Sequence, residues 1–484
     1  MHIGSPSVSL KFGTSGLRGL SVDLKGKATA LYVTAFARVL LESGRARAGD
    51  PIFVGRDFRE SSPEIAATCF GALARAGFTP VDCGAVPTPA LALYAMSRKA
   101  AAIMITGSHI PADRNGIKFY RPDGEIDKQD EAAISAKAGE LAEGETAVDA
   151  TPGRGEDAAV AVMELFCARN RALLPEQALA GLKIGVYQHS TVARDLFVEV
   201  LSQYGAEVVP LGRSENFIPV DTEAVSAETV TLLRDWATEH RLDAIVSADG
   251  DGDRPLLADE TGAPLRGDLL GLMTAIFLDA GVAVTPVTSN SGLEKAGSFS
   301  VIRTRVGSPF VIAGMNEALA EGRAKVMGFE ANGGLLTASA FEVNGHSLDP
   351  LPTRDSVLPV LAVLSAAAQA KKPLSEIAGN HRLPFADADR LENFAVEKSA
   401  AVMAHLRASD ANLASFLAPI GKVAGKSDID GLRIALEDGR IIHFRPSGNA
   451  PEMRCYVEAE TPEAAKALLK QGLDLIRTWV GGAI

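Results

Sequence analysis

The feature that most limits how this chain can fold is an internal repeat. Three times a short apolar strand closes a strand–helix–strand–helix–strand unit and runs straight into a polar loop. Ala101–Ile105 leads into TGSHIP, Asp243–Ser247 into ADGDGDR, and Ala324–Met327 into GFEANGG. Short apolar runs bounded by turn residues are the mark of strands buried on both faces. Strands that alternate with helices imply α/β units. Open α/β sheets place their ligands beyond the carboxyl ends of the strands. Three equivalent loops at three equivalent ends can therefore face one cleft.

The supporting elements follow from local signals. In the first copy, Pro51–Gly55 and Phe78–Val81 read as strands and Thr29–Glu42 as an amphipathic helix. Ser62-Pro63-Glu64 reads as a helix start with Ser62 as cap. The second copy has Leu182–Tyr187 and Ala206–Pro210 as strands, with helices at Val192–Tyr204 and Glu228–His240. The third has strands Ala283–Val287 and Val301–Thr304 and a helix at Pro309–Leu319. From about Leu383 the pattern changes. Strands at Ala386–Val396, Gly431–Leu436, Ile441–Arg445 and Met453–Glu458, with a helix from Thr461 to Trp479, suggest a small α+β domain. It bears one polar loop, RPSGNAPE. The expected fold is thus three similar α/β domains with mixed, mostly parallel sheets, plus a C-terminal α+β domain, all four around a central cleft. The expected boundaries are 1–154, 155–262, 263–382 and 383–484.

Bulk properties exclude several classes. A net charge of −12 argues against nonspecific nucleic-acid binding. The runs near Leu269–Leu278 and Val357–Ala370 are too short to span a bilayer, so no membrane association is expected. Cys69, Cys83, Cys167 and Cys455 stand far apart, without metal or disulfide spacing. Reduced thiols and an N-terminus without an apolar signal core read as cytoplasmic.

Three loops carry chemistry. Ser108 beside His109 and Lys118 offers a nucleophile with proton-transfer groups. Asp249, Asp251 and Asp253 would repel one another unless a hard divalent cation joined them, and oxygen-only ligands favour Mg²⁺ or Ca²⁺. An EF-hand has similar acid spacing but needs glycine at the sixth place, where Arg254 stands. The Gly-rich stretch Lys11–Gly19 carries Ser15 and Arg18, suited to close approach by phosphate oxygens.

Taken in order, these loops resemble those of the α-D-phosphohexomutase superfamily of phosphomannomutases and phosphoglucomutases. FGTSGLRG resembles the family's amino-terminal loop, TGSHIP followed by NGIK its phosphoserine loop, and ADGDGDR its metal loop. GFEANGG resembles its sugar-recognition loop and RPSGNAP its phosphate-binding loop. The resemblance implies that Ser108 carries a phosphoryl group. It implies that Asp249, Asp251 and Asp253 hold Mg²⁺ together with an oxygen on Ser108. Lys118 and His109 become acid–base partners, with Arg18 and Arg254 near the transferring phosphate. Ser15, Glu330 and Asn332 become substrate contacts, with Glu330 on sugar hydroxyls. Arg445, Ser447, Gly448 and Asn449 would hold the other phosphate. The chain departs from the family at Gly107, Ile110, Asn332, Asn449-Ala450 and Ser308. At Ser308 the family has a substrate-contacting histidine, for which Arg303 or Arg305 could compensate.

The expected reaction interconverts hexose 6-phosphate and hexose 1-phosphate through a hexose bisphosphate, with mannose first. The alternatives are a phosphoglucomutase or dual-specificity enzyme, and then a phosphoglucosamine mutase. From other classes come a silent sugar-phosphate sensor and a Mg²⁺-dependent phosphatase. The fourth domain is expected to act as a lid, and the protein to be a monomer or weak homodimer.

Overall fold

The computed structural model describes residues 10–13, 16–144, 148–447 and 451–479. The chain divides into two compact units, Met1–Ala283 with Gly307–Asn380, and Val284–Val306 with His381–Ile484.

The first unit contains the sheets that bear the first two loops. In the first, Ala101–Ile105 is buried along its whole length and pairs in parallel with Pro51–Arg56, which pairs in parallel with Thr79–Ala85. The helix Lys27–Glu42 covers this sheet through Phe36, whose ring lies 4.8 Å from that of Phe119. In the second sheet, Glu207–Leu211, Lys183–Tyr187 and Ala244–Ala248 run parallel in that order. The apolar stretch Val357–Ala370 forms a helix buried without a break from Val357 to Ser365. Among the described residues no helix is long and apolar enough to cross a membrane.

Each copy also has an antiparallel fourth strand that periodicity did not reveal. Arg114–Arg121 returns beside Ala101–Ile105, Pro255–Ala258 beside Ala244–Ala248, and Leu335–Thr337 beside Val326–Phe329. The three polar loops are therefore hairpin connections, fixed by ladder hydrogen bonds on both sides. Registers Ile105↔Ile117, Ala248↔Pro255 and Phe329↔Leu335 close them. The register Met104↔Lys118 brings the Lys118 strand alongside the one that ends at Ser108. Lys11–Phe12 and Leu17–Leu20 pair as a further hairpin, so Arg18 stands on a strand, opposite Gly116.

Two local expectations are corrected. Ser62 does not cap its helix: it is the first helical residue, and its hydroxyl donates to Asp57 Oδ1 at 2.6 Å. The hydroxyl oxygen is taken as well, accepting from Asn115 Nδ2 at 3.0 Å, and the N-cap position falls to Ser61. The strand expected at Ala386–Val396 ends at Leu391, and helices follow at Val396–Ala408 and Asp410–Leu417. Their apolar positions pack on the sheet, a tertiary gain that weak local periodicity did not announce.

The second unit has an antiparallel sheet in the order Phe385–Leu391, Met453–Ala459, Ile441–Pro446, Leu432–Leu436, Val423–Ser427. The helix Pro462–Thr478 lays Leu468, Leu473 and Ile476 on it, and Thr461 Oγ1 caps that helix at Ala464 N.

Packing beneath the third loop is tight. A Cβ on Gly271, in the helix Gly267–Phe277, would fall 2.3 Å from the ring of fully buried Phe329. We expect Gly271→Ala to destabilise the fold by about 1–3 kcal/mol through overpacking. Denaturant titration reads this as a lower midpoint, and an unchanged midpoint would contradict it.

Candidate functional site

Ser108 lies three residues beyond the end of the strand Ala101–Ile105 and turns the chain. Its φ of 54° is left-handed, an unfavourable conformation for a residue with a Cβ, and the surroundings enforce it. Arg59, fully buried, donates to the carbonyls of Ser108, Ile110, Pro111 and Arg114 at 2.6–3.0 Å. Asp57 holds Arg59 Nε and Thr106 Oγ1, and Thr106 Oγ1 accepts from Ser108 N at 2.7 Å. The Phe217 ring lies 4.0 Å from the Arg59 guanidinium carbon. This framework leaves Ser108 Oγ pointing at Asp249, donating to Oδ2 at 2.5 Å.

Asp249, Asp251 and Asp253 converge as the glycine spacing suggested. Gly252 adopts φ 69°, and a Cβ on Gly250 would meet the Phe217 ring at 2.7 Å and the Ser108 carbonyl at 2.9 Å. All three acids are fully buried, and their ligand oxygens lie within 4.8 Å of one another. Each carboxylate has a defined division of labour. Asp249 Oδ1 accepts from the backbone of Asp253 and Arg254, while Oδ2 takes the serine. Asp251 Oδ2 takes Thr88 Oγ1 at 2.6 Å and Lys118 Nζ at 2.6 Å. Asp253 Oδ2 takes Lys118 Nζ at 2.8 Å and both Nε and Nη2 of Arg354. Asp251 Oδ1 and Asp253 Oδ1 remain buried without a hydrogen-bond partner. Buried acceptors are normally satisfied. Two orphaned oxygens beside the serine-bound one are the donor set that a divalent cation accepts, so these residues fit a metal ion.

The electrostatics agree. Burial, then the Asp251 and Asp253 charges, push the Asp249 carboxyl well above the usual range. Burial would raise Asp253 too, but Arg354 and Lys118 outweigh it and hold its carboxyl low. Burial likewise opposes the Lys118 ammonium, and the two carboxylates outweigh that and keep it charged.

Cations ring the acids. Burial first, then repulsion by Arg254 and Arg354, bring Arg18 down to about 10, a crowding that an incoming anion relieves. Burial, and then the Arg254 charge, bring the His109 imidazole down to about 3. Arg254 Nη1 lies 2.6 Å from His109 Nδ1. A guanidinium only donates, so Nδ1 carries the lone pair and the ring proton is on Nε2, 4.0 Å from Asp221. In the sugar-loop position, Glu330 Oε2 accepts from Arg354 Nη1 at 3.0 Å, and Asn332 Oδ1 accepts from Gly334 N at 2.9 Å.

The first unit thus brings together Ser108, His109, Lys118, Arg18, Asp249, Asp251, Asp253, Arg254, Glu330 and Asn332. Ser15, Gly448 and Asn449 lie outside the described residues. Arg445 stands in the second unit, its Nε 2.9 Å from Asp430, and Ser447 follows on the same loop. Ser308 is fully buried and donates to Glu125 Oε2 at 3.0 Å, so it takes over no histidine-like contact. Arg303 spends its guanidinium on Glu294 and the carbonyls of Pro286, Ser289 and Asn290. Sequence reasoning missed Asp57, Arg59, Thr88, Asp221 and Arg354. Each stands alone outside the five loops, with no motif to single it out.

The comparisons follow the same order along the chain. Phosphoglucomutase/phosphomannomutase α/β/α domains I, II and III match residues 9–145, 167–262 and 268–384, and that family's C-terminal domain matches 391–475. A phosphomannomutase of Sinorhizobium fredii is 58% identical over 97% of this chain and 99% of its own. One from Salmonella muenchen is 39% identical over 98% and 97%. The crystal structure of a phosphoglucomutase/phosphomannomutase family protein from Burkholderia thailandensis superposes with a TM-score of 0.76. It is 19% identical, with 96% of this chain and 97% of that one covered. With all four of its domains matched in sequence order, the chain belongs to the phosphoglucomutase/phosphomannomutase family.

Proposed function

We propose that this enzyme interconverts mannose 6-phosphate and mannose 1-phosphate, with Ser108 as the phosphoryl carrier. The observation that carries the reading is the 2.5 Å bond between Ser108 Oγ and Asp249, within a buried acid triad that Lys118 also touches. The identity of 58% over nearly the full length of a phosphomannomutase supports mannose.

In this reading phosphoserine-108 gives its phosphoryl group to the free hydroxyl of the hexose monophosphate. The P–Oγ bond breaks, a P–O bond to the sugar forms, and the hydroxyl proton passes to a nearby base. The bisphosphate turns over and returns its other phosphate to Ser108 Oγ. Asp249, Asp251 and Asp253 would hold Mg²⁺, which supplies charge neutralisation at the transferring phosphoryl group. Arg18 and Arg254 add fixed positive charge to the same oxygens. When Arg254 turns to that phosphate it frees the lone pair of His109 Nδ1, which then serves as a proton acceptor beside Ser108. Lys118, kept charged, is the donor. Glu330 and Asn332 orient sugar hydroxyls, and Arg445 and Ser447, with Ser15, Gly448 and Asn449, bind phosphate or sugar oxygens.

A serine that carries the group transferred in every turnover admits no substitute. Ser108→Ala should therefore lower kcat by at least about a thousandfold, with one phosphoryl group missing from the intact mass. Near-native turnover in a coupled assay would reject the assignment.

Three bound oxygens without their cation leave buried like charges. Stripping divalent ions with a chelator should therefore stop turnover, and Mg²⁺ should restore it. Full activity in chelator, or restoration only by another ion, would reject Mg²⁺.

Sugar preference is read by kinetics on single substrates. We expect kcat/KM for mannose 1-phosphate to equal or exceed that for glucose 1-phosphate and to exceed that for glucosamine 1-phosphate. The reverse order would transfer the assignment to another hexose.

A further inference from the structure

Arg354 joins two loops that the repeat keeps on separate sheets. Its side chain is fully buried. At one end Nε and Nη2 hold Asp253 Oδ2 at 3.0 and 2.8 Å, and at the other Nη1 holds Glu330 Oε2 at 3.0 Å. The planar guanidinium serves both carboxylates at once, a geometry that a lysine ammonium cannot reproduce.

The same bonds select which oxygens are left over. Because Arg354 and Lys118 both take Asp253 Oδ2, it is Oδ1 that stays without a hydrogen bond beside the other two acids, with Arg254 Nε 3.7 Å away. Fixing Glu330 Oε2 fixes the direction of Glu330 Oε1 in the same way.

Gly334 is the counterpart of this strut. Leu335 pairs with Asp355 in an antiparallel register, so Gly334 stands diagonally across from Arg354, within reach of its side chain. Gly334 has no left-handed φ, unlike Gly333 at 84°, and backbone conformation does not explain it. A Cβ at Gly334 would fall 2.5 Å from Arg354 Cδ and 2.8 Å from Cγ. Those atoms lie mid-chain in a side chain pinned at its tip, so they cannot swing aside without breaking the bonds to Asp253 or Glu330.

We propose that Arg354 is a positioning residue that sets the metal-binding carboxylate Asp253 and the sugar-recognition carboxylate Glu330 together, and that residue 334 is glycine to let it pass. The sugar half rests on the mutase reading; the metal half does not.

The test uses the full chain, with Mn²⁺ as a spectroscopic probe. Metal-stripped wild type, Arg354→Lys and Gly334→Ala are titrated with Mn²⁺ by electron paramagnetic resonance. KM and kcat for mannose 1-phosphate are then measured at saturating metal, and thermal melts report folding. Outer contacts of this kind are worth roughly 10- to 100-fold in metal affinity or activity. We expect both variants to lose Mn²⁺ affinity in that range and to lose kcat/KM together with it. Gly334→Ala is the decisive variant, because it keeps every charge and still displaces the strut. If Arg354→Lys fails to fold, Gly334→Ala alone decides. Wild-type Mn²⁺ affinity in Gly334→Ala, or a loss at one site without the other, overturns the proposal. A wild-type protein that binds Mn²⁺ but turns over no hexose phosphate would sink the mutase reading, and the Mn²⁺ arm would still judge the strut.

Discussion

Three carboxylates packed within 4.8 Å and closed off from water govern the rest of this structure. At an effective dielectric constant of about 20, each such pair repels by roughly 3–4 kcal/mol. Arg254 in the same loop offsets part of that, its Nε 4.0 Å from Asp249 and 3.7 Å from Asp253. The rest of the compensation comes from elsewhere in the chain: Lys118 from the first repeat, Arg354 from the third, and Thr88 from the start of a helix. The acid loop therefore draws its compensating cations from the first and third repeats as well as its own. The remaining deficit, two oxygens without a hydrogen bond, is one that a bound cation could fill.

That requirement explains why the repeat takes the form it does. A strand end alone leaves its loop free to wander. A strand followed by an antiparallel return pins the loop at both feet, so a functional side chain is placed by register. Met104↔Lys118 and Ala248↔Pro255 are such placements. The candidate constellation hangs on ladders, and positioning is what phosphoryl transfer most requires of a protein.

Legibility from sequence followed range of interaction. The buried parallel strands, the capped final helix and the acid loop are written in short windows, and the structure has them within a residue or two. The return strands were missed because Arg114–Arg121 and Pro255–Ala258 are buried, so neither alternates apolar with polar. Ser62 was misread because its hydroxyl is engaged by Asp57 and Asn115, the second 53 residues away, and Ser61 stands at the cap position instead. Arg59 and Arg354 were invisible for a related reason. An arginine in an apolar strand or a turn has the statistics of a surface residue, and its meaning lies entirely in carbonyls and carboxylates distant in sequence.

Arg59 and Arg354 also show how the two kinds of order divide. Arg59 gathers four carbonyls of one loop and gives Ser108 a shape; Arg354 gathers two carboxylates of two loops and gives the site a relation. A buried ion pair is weak evidence for stability, since desolvation consumes much of its Coulomb gain. What such a pair contributes here is specificity of arrangement. Burying the cation beside the acids means that neither can turn to solvent, and each acid is left one direction in which to present its second oxygen. An enzyme that must return either end of a bisphosphate to one serine benefits from that restriction, because the reacting atoms then meet the same charges whichever way the sugar has turned.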